Sequence, residues 1–90
     1  MLMLLAASLL ADPVPVYVIA GQSNAEGYGV PHAELEPINA VTVVWPERPQ
    51  GEEVGPLQVG WGANQNMIGP EYGFGREMEQ HHQSPVVLLK

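Results

Sequence analysis

Glycine and proline punctuate this chain at more than one residue in five, ten and nine of them among ninety. That density forbids long uninterrupted helices, because glycine adds backbone entropy to be lost and proline removes a donor and clashes with the preceding turn. The regular elements must be short. The β-branched apolar run at 14–20 (VPVYVIA), ending at Gly21, predicts a strand buried on both faces, as in a parallel sheet. Pro13 and Pro15 confine its start to an edge-like stretch. Residues 41–45 (VTVVW), closed by Pro46, predict a second strand, and residues 86–89 (VVLL) a third. Residues 47–69, dense in Gly, Pro and Asn, carry no helical period and predict one long loop of the kind that is usually functional or disordered.

Residues 70–82 (PEYGFGREMEQHH) predict the best helix of the chain. Pro70 suits a first helical position, Glu71 sits where the helix dipole favours negative charge, and Phe74 and Met78, four apart, share one face. Gly73 and Gly75 each cost about 1 kcal/mol relative to Ala in a helix interior, which predicts a close backbone approach there. The order of elements predicts an α/β fold with a mainly parallel sheet. Such a sheet needs helices on both faces, and one good helix cannot supply them. The elements therefore read as the opening portion of a larger α/β domain, truncated after the third strand.

Charge and composition exclude several chemistries. Arg48, Arg76 and Lys90 stand against ten Asp and Glu for a net charge of −7, the wrong sign for a nucleic-acid partner. With no cysteine, a disulfide framework, a thiolate zinc site and a cysteine nucleophile are ruled out. The apolar run at 2–10 (LMLLAASLL) is too short to span a bilayer but suits the core of a secretory signal peptide, with Ala11 a small residue at the cleavage point. The expectation is a signal peptide at 1–11, a domain at 12–90, and a secreted or periplasmic location. The histidines and glutamates lack zinc-protease spacing, and no metal is expected. Gly27-Tyr28-Gly29 fails the dinucleotide pattern, since His32 stands where its last glycine would be, and no phosphate-loop lysine follows. No cofactor is expected.

The chemistry centres on Gly21-Gln22-Ser23-Asn24, directly after the first strand. A serine on a sharp turn at the carboxyl end of a strand is exposed beside backbone N–H groups that can steady an anion, the geometry of a nucleophile. Ser23 and Asn24 serve equally well as caps of the next helix. The G-x-S-x-G pattern is only partly met, because Ala25 replaces its second glycine.

Residues 18–24 (VIAGQSN) resemble the block that opens the sialate O-acetylesterase-like branch of the SGNH hydrolases, a group that includes acetyl xylan esterases. Gly69-Pro70-Glu71, followed by Phe74-Gly75 and a helix, resembles that family's second block at a fitting distance. The resemblance implies a three-layer α/β/α fold and a serine esterase that removes acetyl groups from carbohydrate through an acyl-enzyme. It implies Ser23 as nucleophile, the backbone N–H groups of Ser23 and Gly69 as oxyanion donors, and Gln22 and Asn24 as residues that shape the turn. Glu71 reads as a helix-start carboxylate.

The family also uses a third block of Gln-Gly-Glu type and a late Asp-x-x-His pair, and neither is expected among these residues. Glu79 and His82 imitate the pair but end a helix ahead of a strand, where a histidine answers the helix dipole instead. The ninety residues alone are thus expected to be inactive. Two other readings stay open. One is a carbohydrate-binding module presenting Trp61 on a Gly/Asn-rich loop at 60–69, with Trp45 and Tyr28 as further stacking or packing aromatics. The other is a truncated product too small to hold a stable fold.

Overall fold

β-Branched residues pack well on a pleated surface, and three runs of them build the parallel part of the sheet. The computed structural model describes residues 13–31 and 35–90, apart from the side chains of Ser23 and Asn24. The expected signal peptide and His32 lie outside the described residues. The elements are β1 (Val16–Val18), the single-turn α1 (Ser23–Glu26), β2 (Ile38–Trp45), β3 (Glu53–Leu57), α2 (Glu71–His82) and β4 (Val86–Leu89). The sheet runs in the order β1-β4-β2-β3. β4 pairs in parallel with both β1 and β2, while β3 is antiparallel to β2. A small α/β fold with a mostly parallel sheet and one substantial helix is thus in place. No helix among the described residues is long and apolar enough to cross a membrane.

α2 lies over β4, β2 and β3. Between them sits a core of Val41, Val43, Leu57, Trp61, Tyr72, Val86 and Leu88. Gly75 makes this close approach possible: a methyl group there would stand 2.6 Å from Leu57 Cδ2 and 2.9 Å from Leu88 Cδ1, whereas one at Gly73 would meet nothing within 4 Å. The close approach expected of both glycines belongs to Gly75 alone. Met78 packs against the core, and Phe74 meets Tyr17 of β1 edge-on, ring centroids 5.2 Å apart. The helix ends at Gln83, whose φ of 51° is left-handed and whose N–H donates to Glu79 O at 2.8 Å.

Two expectations need correction. β1 is not buried on both faces. It ends the strand order among the described residues, with Val16 57% and Val18 68% exposed and only Tyr17 half-buried between them. α2 reaches β1 through Phe74 and His82 on the Tyr17 face, whereas Val16 and Val18 share the opposite face with Val87 and Leu89 of β4, which are also only half-buried. Nor is 47–69 one loop, because β3 interrupts it. Pro56 fits β3 because β3 lies at the other end of the order, and the β2–β3 register slips between Ile38 and Thr42, which face Leu57 and Pro56.

The remaining segment, 58–69, is held from several sides despite its glycines. Arg48, buried between the rings of Trp45 and Trp61, donates from Nη2 to the carbonyls of Gly60 (2.6 Å) and Gly62 (2.9 Å). Its Nη1 pairs with Glu53 at 3.2 Å. The amides of Gly60 and Gly62 both donate to Met67 O. A two-bond bridge between Gly29 and Ile68 then zips the segment to the chain that follows α1.

Candidate active site

Ile19 continues the β1 pairing, its N–H donating to Leu89 O at 2.8 Å, and the chain then turns at Gly21. The φ of 145° there is a conformation that side chains with a Cβ rarely adopt. Ser23 opens the single turn α1, closed by Glu26 N–H on Gln22 O at 2.9 Å. Strand, sharp turn and helical turn follow one another in the sequence order expected around Gly21-Gln22-Ser23-Asn24.

The second block meets the chain just after α1 through bare backbone. A methyl group at Gly27, whose φ is 100°, would lie 2.6 Å from Gly69 Cα and 2.7 Å from Gly69 N. Only glycine on both sides permits this contact. Ala63 N–H reinforces it by donating to Gly27 O at 2.6 Å. Residues forty-odd positions apart are thereby brought together.

Glu71 does more than start a helix. Its side chain is wholly buried, its Oε2 accepts the Gly69 N–H at 2.7 Å, and its Oε1 accepts from Lys90 Nζ at 2.5 Å. The Gly69 amide, expected as an oxyanion donor, is therefore engaged by an internal carboxylate in this structure. Lys90 uses all three ammonium protons, donating also to Glu26 O (2.7 Å) and Trp61 O (2.5 Å), and its Nζ lies 4.7 Å from the Trp45 ring centroid. Sequence reasoning missed Lys90 as a site residue. The available signal was a lone lysine in an acidic chain, set directly after an apolar strand.

Of these groups, Lys90, Glu26 and Trp45 border an open hollow of about 820 Å³ at the carboxyl ends of β1, β4 and β2, lined also by Gly21, Gln22, Ala25 and Leu89. Ligands of open α/β sheets bind at this end of the strands. Trp61 does not present a stacking surface: it is 4% exposed and its indole N–H donates to Pro56 O at 2.8 Å. Tyr28 is exposed, and its hydroxyl donates to Glu26 Oε1 at 3.1 Å; that hydrogen bond and the negative charge of Glu26 raise the phenol above its ordinary pKa. His82 lies at the far end of α2, roughly 16 Å along the axis from Glu71 at 1.5 Å per residue. Its Nε2 is 2.6 Å from Tyr17 Oη, and its ring meets His81 edge-on. Gln50-Gly51-Glu52 has the letters of the third block but precedes the second, and it forms the exposed turn into β3, with Gly51 N–H on Arg48 O at 2.7 Å.

The model of a carbohydrate esterase family, the sialic acid-specific acetylesterases, matches residues 13–90. The chain belongs to that family. No curated protein and no solved structure matches it.

Proposed function

We propose that this chain carries the nucleophile portion of a serine esterase acting on O-acetylated carbohydrate, of sialate or xylan type. Ser23 attacks the acetyl carbonyl, and the N–H groups of Ser23 and Gly69 receive the negative charge that develops on its oxygen. The ester bond to the sugar breaks, the sugar departs as an alcohol, and water then releases acetate from acetyl-Ser23. Each oxyanion donor is worth about 2.7–4 kcal/mol of transition-state stabilisation. The Gly69 N–H joins in when a substrate oxygen displaces or shares the bond to Glu71 Oε2. Gln22 and Asn24 shape the turn. The observation that supports this reading is the contact of Gly69, in the second block, with Gly27, the residue directly after the single turn that Ser23 opens.

Serine and its base act as a unit, and losing either costs about 10⁶ in turnover in a well-studied protease. Because these ninety residues hold no Asp-x-x-His pattern, the chain alone is expected to hydrolyse p-nitrophenyl acetate at the buffer rate. Turnover above that rate, abolished in Ser23→Ala, would refute this expectation of inactivity. Imidazole supplied as an external base is expected to let Ser23 take up acetyl, read by peptide mass. Acetyl appearing equally in Ser23→Ala, or nowhere, removes the nucleophile assignment. Binding without chemistry is the weaker reading, since the buried Trp61 offers a glycan no face.

A further inference from the structure

Lys90 is the meeting point of four separate segments. Its ammonium donates to the carbonyl of Glu26 at the end of the serine turn, to the carbonyl of Trp61 in the 58–69 segment and to the carboxylate of Glu71 that opens α2, and it faces the ring of Trp45 that ends β2. The Lys90 and Glu71 side chains are 2% and 0% exposed. A methyl group added to Gly69 would stand 3.3 Å from Lys90 Nζ and 2.7 Å from Glu71 Oε1. The ammonium is thus packed directly against the Gly27–Gly69 junction.

We infer that Lys90 is a positioning residue for the ester-cleaving site, locking the Gly27–Gly69 junction in place before any substrate arrives. Gly27 and Gly69 have no side chains with which to hold each other. The Ala63 N–H on Gly27 O and the Gly29–Ile68 bridge tie the neighbouring backbone, and Lys90 adds a charged tie on both sides of the contact itself. It grips Glu26 O, one residue before Gly27, and through the Glu71 carboxylate it grips the Gly69 N–H. A charged donor suits the task because its hydrogen bonds are roughly twice as strong as neutral ones. What the junction is held ready for rests on the esterase reading above; that it is held by Lys90 does not.

The experiment follows amide hydrogen exchange by NMR in the full chain with no ester present. Gly69 is expected to be protected, and in Lys90→Met its exchange should speed up by about tenfold or more, with the amides of Val41 and Leu88 reporting the accompanying loss of global stability. The chain contains no cysteine, so Lys90→Cys can be alkylated in denaturant and refolded. 2-Bromoethylamine restores an ammonium at nearly the same reach, and iodoacetamide gives a neutral adduct. The charged adduct should recover Gly69 protection and, with imidazole present, the rate of Ser23 acetylation; the neutral adduct should recover neither. An unprotected Gly69 in the unaltered chain, or equal Gly69 protection in the two adducts, overturns the inference. If Ser23 fails to acetylate while Gly69 responds as described, the esterase reading falls and the positioning role stands.

Discussion

Lys90 Nζ stands 2.5 Å from Glu71 Oε1 with both side chains almost wholly buried, joining the end of β4 to the first turn of α2. Desolvation makes such a pair a poor source of net stability, yet removing one partner strands the other charge in the interior. Glu71→Leu or Lys90→Met alone is expected to lower stability by about 3–5 kcal/mol. The double variant should lose much less than the sum. Urea denaturation of the four chains checks this, and simple additivity would show that the two groups do not interact.

The two glycines of α2 should respond to alanine with opposite signs. Gly73 has open space around a methyl group, so Gly73→Ala is expected to raise stability by about 1 kcal/mol through helix propensity and a less mobile unfolded chain. Gly75→Ala forces a methyl against Leu57 and Leu88 and should lower it by about 1–3 kcal/mol. Thermal midpoints of the two variants decide the matter, and equal shifts would contradict the packing described.

Trp61 separates packing from glycan recognition. Its ring is buried in the core and its N–H is bonded to Pro56 O, so Trp61→Ala should cost about 3–5 kcal/mol of stability. A variant of unchanged stability, measured in urea, would return Trp61 to the surface.

Tyr28 offers a pH test. Its phenol is held above the ordinary value of 10.0 by Glu26, first by the hydrogen bond and then by charge. A raised pKa favours the folded state below the ordinary value, and that contribution disappears as pH climbs through the folded one. Ultraviolet titration should place Tyr28 higher than a free tyrosine, and Glu26→Gln should bring it back down. An unaltered titration in Glu26→Gln would remove the assigned cause.

What could be read from the residues was what local pattern encodes. Residues 86–89 form β4 as their unbroken apolar run suggests, and α2 begins one residue after Pro70. The turn at Gly21 followed by Ser23 was legible for the same reason. β3 was hidden because Gly55 and Pro56 depress strand propensity, and its pairing with β2 rests on contacts far along the chain. The exposure of Val16 and Val18 follows from their pointing to the sheet face away from α2 on an end strand, which hydrophobicity does not encode. The Gly27–Gly69 contact and the Glu71–Lys90 pair join residues with no periodic relation, so the two blocks could be listed but their junction could not be drawn.

Three successive carbonyls, those of Gly60, Trp61 and Gly62, are gripped alternately by Arg48 and Lys90. A molecule entering the hollow beside Trp45 and Lys90 therefore meets a lysine whose anchorage surrendered its conformational freedom when the protein folded. Little further entropy is lost on contact, and selectivity there is left to shape and hydrogen-bonding chemistry.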